Sequence, residues 1–203
     1  MNSDEVSLRE RTRRAVRQEI ADAASALFVE QGYEATTVED IAAAAGLSQR
    51  SVFRYFPTKE DIVVGRFDVV IEDMLTVLRR RPAGEPAWVS LRRTFDPLVP
   101  YLDTPGRAGL AESMQRIVFA TPALYAGYQH KLQRLQDEAE IVLRERAAGA
   151  GSAYAADDPA PRAICGAAFA CLLAAQHTWL GCGAQGSFGE AIDRAMAAIV
   201  QAG

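Results

Sequence analysis

Cysteine, histidine and tryptophan are scarce in this chain of 203 residues, which holds three, two and two of them. So few thiols, and an odd number, do not make a disulfide framework and fit a reducing compartment. Cys165, Cys171, His177 and Cys182 follow one another at intervals of six, six and five residues. Six residues turn a helix by about 240°, so the side chains of Cys165 and Cys171 diverge. No zinc-ligand spacing results, and no cofactor or metal is expected. A glycine-rich phosphate loop and a Ser/His/Asp set are both missing, so the chain does not read as an enzyme. Long hydrophobic runs are missing as well. The best stretch, Ala163–Leu180, is alanine-rich and carries Gln176 and His177, and no membrane role is expected of it. The first residues, MNSDEVSLRERTRRA, have no apolar signal core, which predicts a cytoplasmic location.

A surplus of positive charge is absent too. Twenty-two basic residues against 26 acidic ones give −4, which argues against indiscriminate coating of nucleic acid. The basic residues are instead bunched. Ser7–Arg17 holds Arg9, Arg11, Arg13, Arg14 and Arg17 against Glu10 alone, and Ser48–Lys59 holds Arg50, Arg54 and Lys59 with no acid. Taken singly, each patch reads equally as a solvated helix face or as a directed contact with an anion.

What is present is helical periodicity. Val16, Ile20, Ala23, Ala24, Leu27 and Phe28 share one helix face, which stops before Gly32. Thr37 with Asp40 makes a capping box ahead of Val38, Ile41, Ala42 and Ala45. Ser48 caps a third helix that Pro57 stops. Thr58 opens a fourth expected to run to Arg81 on the stripe Val63, Phe67, Val70, Ile71, Met74, Leu75 and Leu78. After the break at 81–86, helices are expected near Trp88–Leu102, Pro105–Phe119, Ala123–Ala148, Pro159–Leu180 and Phe188–Ala202. The chain is therefore read as all-α, with about nine helices.

The two short helices around Gly46 form the most specific feature. A helix-turn-helix needs a small residue where its helices nearly touch, a glycine at the turn and apolar residues facing inward. Ala42, Gly46 and the set Ile41, Ala45, Leu47 and Val52 supply these at the required spacing. The run TVEDIAAAAGLSQRSVFRYFPTKEDIV resembles the DNA-binding signature of the tetracycline-repressor (TetR) family. ADAASALFVEQGYEATT resembles that family's first helix and turn, so the likeness covers roughly residues 11–64. FATPALYAGYQHKL is similar to the ligand-binding half of a subgroup that responds to acyl-CoA-like molecules.

The resemblance implies a DNA-binding domain over 1–58, with a basic arm at 7–17, and a ligand-binding and dimerisation domain over 59–203. It implies that the third helix enters the major groove and exposes Gln49, Arg50, Ser51, Phe53 and Arg54. Arginine can bond guanine O6 and N7 together, and an aromatic ring can pack on a thymine methyl. A tyrosine is common in the family where Phe53 stands, and a glycine where Arg50 stands, so a hydroxyl is lost and a cation gained. Thr37, Ser48, Tyr55 and Lys59 occupy positions that hold phosphates in the family. Tyr55 can equally be a core residue. Arg13 and Arg14 lead the arm, read either as an ordered helix face or as a mobile arm in the minor groove.

The partners so implied are a double-stranded DNA operator, a second copy of the chain and a small apolar ligand, acyl-CoA-like or aromatic. Ala163–Leu180 is apolar almost all round and must bury two sides. One side is expected to form a subunit seam through Phe169, Leu173, Gln176 and Leu180, together with Ile192, Met196 and Ile199 of the last helix. Phe95, Tyr101, Met114, Phe119, Tyr125, Tyr128, Cys171 and His177 are the candidate ligand residues. The expected function is a homodimeric, ligand-released transcriptional repressor. The alternative is a DNA-binding regulator without a small-molecule ligand, controlled by a protein partner or by cysteine oxidation.

Overall fold

The structure is a computed structural model that describes residues 3–103 and 108–201. Eleven helical segments and no strand lie among these residues, because two of the nine expected helices are interrupted. The residues expected to open one helix at Pro105 and to close another at Ala202 lie outside the described ones.

The chain divides into two compact units, one built from residues up to 68 with 113–127, the other from 69–112 and 128 onward. The first unit begins with α1 (Ser3–Gln31), whose Ile20, Ala24 and Phe28 are buried at the expected spacing. The short helices α2 (Val38–Ala44), α3 (Gln49–Tyr55) and α4 (Lys59–Gly65) follow. Ile41, Ala42, Val52, Phe56, Ile62 and Val63 complete its core. Although α4 was expected beyond the boundary at 58, it packs on α1 and belongs to this unit. The helix expected from Thr58 to Arg81 is broken: α4 ends at Gly65 and α5 (Asp68–Arg80) starts anew. The intervening turn buries Phe67.

The second unit holds most of α5, then α6 (Ala87–Thr94) and α7 (Leu98–Asp103), separated by a turn at Phe95–Pro97. Two helices, α8 (Ala108–Ala120) and α9 (Pro122–Gly149), give residues to both units. The chain closes with α10 (Ala160–Gly181) and α11 (Phe188–Gln201), which pack on each other and on α6. By length and mean hydropathy, 1.4, α10 could cross a membrane, yet half of that stretch is buried in the protein, as in a core helix.

This packing corrects the expected subunit seam. Phe169, Gln176, Leu180, Ile192 and Met196 lie in the chain's own core, because α10 and α11 spend those faces on each other and on α6. Leu173 is half-buried, and Ile199, 51% exposed, stands in solvent.

Candidate nucleic-acid interface

Three capped helix starts build the site. The Thr37 hydroxyl accepts from the Asp40 N–H at 3.1 Å and donates to the Asp40 carboxylate at 2.7 Å, while that carboxylate accepts the Thr37 N–H at 2.9 Å. These bonds hold the Asp40 carboxyl below its ordinary range. Ser48 Oγ accepts from the Ser51 N–H at 3.2 Å and lies 2.9 Å from Ser51 Oγ. Thr58 and Asp61 repeat the reciprocal cap on α4. A hydroxyl engaged this way satisfies an otherwise orphaned helix N–H. Thr37 therefore has its hydroxyl committed beside Glu39 and Asp40, whereas the first turn of α3 carries no acid.

Between α2 and α3 the chain turns at Gly46, whose φ of +65° suits glycine. Leu47 donates its N–H to the Ala42 carbonyl at 2.8 Å, which closes the turn over the small residue. Val52 is fully buried on one side of α3. The opposite side exposes Gln49, Arg50, Phe53 and Arg54, while Ser51 and Tyr55 are half-buried. Phe53, a large apolar ring, is 44% exposed, and Arg50 and Arg54 of the same helix are exposed with it.

Arg13 and Arg14 lie on an ordered helix, since α1 runs unbroken from Ser3. Both are exposed. An open groove of about 530 Å³ is lined by Leu8, Arg9, Thr12 and Arg13 of α1 and by Arg54 and Tyr55 of α3. Three arginines and no acid line it, so the groove is cationic. Arg14 is not among its lining residues.

Lys59 departs from expectation. Its ammonium donates to the Tyr33 carbonyl at 2.9 Å and to the Thr36 carbonyl at 3.1 Å, and sits 4.2 Å from the centroid of the Tyr33 ring. Two of its three N–H donors thus point into the protein, pinning the α1–α2 turn to the start of α4. The Tyr33 hydroxyl donates to Glu60 at 2.8 Å. Burial, with the Glu60 carboxylate as acceptor, pushes that hydroxyl above its ordinary range. Glu60 is lowered by its own backbone N–H and then by Tyr33.

Residues 20–64 match the profile of the bacterial regulatory proteins of the tetR family. The chain is 32% identical over 143 residues to the transcriptional regulator TcmR of Streptomyces glaucescens, a stretch covering 68% of this chain and 63% of TcmR. Residues 20–64 thus carry a tetR-family region, and the chain spans less than two thirds of the length of TcmR. Its fold resembles FadR of Bacillus subtilis in complex with stearoyl-CoA, at TM-score 0.59 and 19% identity, over 88% of this chain and 95% of that one. It also resembles SmeT in its triclosan complex, at TM-score 0.62 and 22% identity, over 91% of each chain. TcmR and the repressor KstR2 of Rhodococcus jostii, 49% identical over 47 residues that cover 23% of each chain, are both transcriptional regulators.

The eight candidate ligand residues scatter over the two units. Met114, Phe119 and Tyr125 belong to the first unit, where the Phe119 and Tyr125 rings lie 5.2 Å apart. Phe95, Tyr101, Tyr128, Cys171 and His177 belong to the second. Phe95 packs edge-on against Phe169 at 5.4 Å, and the buried Tyr128 hydroxyl pairs with Gln176. His177 stands on the exposed side of α10, because the helix turns Gln176 and Trp179 inward instead. Cys165 and Cys171 are buried, and that burial pushes the Cys165 thiol up to about 12 and raises Cys171. Cys182 is the exposed one.

Reading the sequence alone missed Arg17, Tyr33 and Glu60. Arg17 stands three residues before Ile20 on the buried stripe of α1, so its spacing already set it apart from the arm.

Proposed function

We propose that the chain is a cytoplasmic, homodimeric transcriptional repressor that reads an inverted-repeat operator with α3 and releases it on binding a small apolar ligand. One observation carries the DNA reading: Gln49, Arg50, Phe53 and Arg54 share the solvent face of a capped helix whose other side is anchored by Val52. Arg50 and Arg54 offer guanidinium forks for base edges or phosphates, and Phe53 an apolar face for a thymine methyl. The cationic groove beside Arg54 suits the flanking backbone. Arg13 and Tyr55 line it, Ser48 caps α3 and Ser51 lies on it, whereas the Thr37 hydroxyl is engaged by Asp40 and the Lys59 ammonium by the Tyr33 and Thr36 carbonyls.

A single helix-turn-helix contacts few base pairs, and twofold symmetry doubles the contact. The surfaces free for a second copy are the exposed Ala163, Ala170, Ala174 and Thr178 of α10, with Ala197, Ile199 and Val200 of α11. They replace the buried residues first expected there. The second unit is the place for the ligand. FadR holding stearoyl-CoA and SmeT holding triclosan support an acyl-CoA-like or aromatic compound.

The test is selection of binding sites from random duplexes, followed by titration of Arg50→Ala. Loss of a bidentate base contact should cost about 1–3 kcal/mol and relax preference at one base pair. A chain that enriches no sequence contradicts the reading. Stearoyl-CoA and triclosan should release the selected duplex. If neither does so nor raises the melting temperature, regulation without these ligands becomes the better account.

A further inference from the structure

We propose, resting on the reading that α3 docks on DNA, that Arg17 is a positioning residue that sets the pose of α3 and ties it to the first residue of α5. Arg17 belongs by sequence to the basic run of α1, but it does not line the groove and is half-buried. Its Nη1 donates to the Tyr55 carbonyl at 2.9 Å, and its Nη2 donates to Asp68 Oδ2 at 2.9 Å. The guanidinium carbon lies 4.3 Å from the centroid of the Phe56 ring. Three helices therefore meet at one side chain: α1, the end of α3 with the Phe56 that follows it, and the start of α5.

Each contact has a physical role. Tyr55 is the last residue of α3, and its carbonyl is one of those a helix leaves without an internal partner. A guanidinium there satisfies it and sets positive charge at the negative end of the helix dipole. The planar fork can face a carbonyl and a carboxylate at once, which a single ammonium cannot do in the same directions. The space is tight from the far side as well. A Cβ on Gly65 would stand 2.6 Å from Phe56 Cε1 and 3.1 Å from Arg17 Nη2. Ring and guanidinium are thus confined, and the end of α3 has little freedom to tilt. Because Asp68 opens α5, the Arg17 side chain links the first residue of α5 to the end of α3.

Arg17→Met, Arg17→Lys and Asp68→Asn in the full chain test the proposal, with an operator selected by the wild type and a scrambled duplex, each titrated across salt. Arg17→Met should lower operator affinity about tenfold, the weight of one hydrogen bond to a charged group, while scrambled-duplex affinity and the salt slope stay unchanged. Arg17→Lys should recover part of the loss, and Asp68→Asn, which keeps an acceptor, should lose less than Arg17→Met. Equal weakening of both duplexes with a salt slope reduced by about one overturns the proposal, because Arg17 would then be a phosphate contact. Loss on both duplexes in step with a falling melting temperature also overturns it, leaving Arg17 only structural. Should Arg17→Met not fold, unchanged operator affinity in Arg17→Lys and Asp68→Asn overturns it equally. A wild type that selects no operator brings down the DNA reading itself.

Discussion

Lys59→Met separates a phosphate contact from an internal clamp. Methionine keeps much of the apolar stem and removes the ammonium, which in the structure donates to the Tyr33 and Thr36 carbonyls and faces the Tyr33 ring. A hydrogen bond to a charged group contributes about 1.5–3 kcal/mol, and a partly exposed cation–π contact about 0.5–1 kcal/mol. These contributions do not simply add, since one side chain makes all three contacts and water can reclaim part of the carbonyls. A loss of about 2 kcal/mol is expected, which for a chain of this size lowers the melting temperature by about 4–8 °C. Calorimetry gives that shift, and fluorescence anisotropy against salt gives the number of phosphates neutralised. The clamp predicts a lower melting temperature with an unchanged salt slope. A slope reduced by about one at an unchanged melting temperature would refute the reasoning and make Lys59 a phosphate reader.

Other substitutions probe the remaining arguments. Gly65→Ala should destabilise the first unit, because the added Cβ meets Phe56 at 2.6 Å. Overpacking of that kind costs about 1–3 kcal/mol, and an unchanged urea midpoint would show that the ring moves freely. Glu85 is held down to about 2 by the Arg81 side chain and then by Ser90. Its folded value is depressed, so its contribution is full above the ordinary glutamate range and is lost as pH falls from there through about 2. Glu85→Gln should flatten that acid limb in a urea series, and identical limbs would contradict the ion pair. Ile199→Asp should lower dimer content by light scattering together with operator affinity, since Ile199 is exposed on α11. Intact dimers would remove α11 from the seam.

Local chemistry made the first unit legible in the sequence. Thr37, Ser48 and Thr58 cap the helices they were expected to cap, and Gly46 turns where the spacing required. Side-chain destinations were less legible. Lys59 looked like a surface cation because its acceptors are backbone carbonyls 26 and 23 residues away, which no local pattern marks. The break between Gly65 and Asp68 was hidden because Phe67 keeps the apolar stripe going while the backbone turns beneath it. On α10 the apolar residues occupy almost the whole circumference, so periodicity could not say which face turns inward. The small alanines, not Phe169 or Leu180, were left outside. Large side chains such as Phe95, Phe119 and Tyr128 suggest a pocket in the sequence, but size alone does not distinguish a core packed on itself from a cavity wall.

The central claim is that two copies of α3 read one symmetric operator, and binding stoichiometry on matched duplexes tests it most directly. Full chain is titrated into the selected inverted repeat, into the same duplex with one half-site scrambled, and into a repeat with half-sites moved apart by half a helical turn. The account predicts two chains per intact repeat, with steep loss of affinity in both altered duplexes, because paired recognition helices must meet major-groove faces about 34–36 Å apart. One chain bound per duplex, with equal affinity for all three, would contradict it.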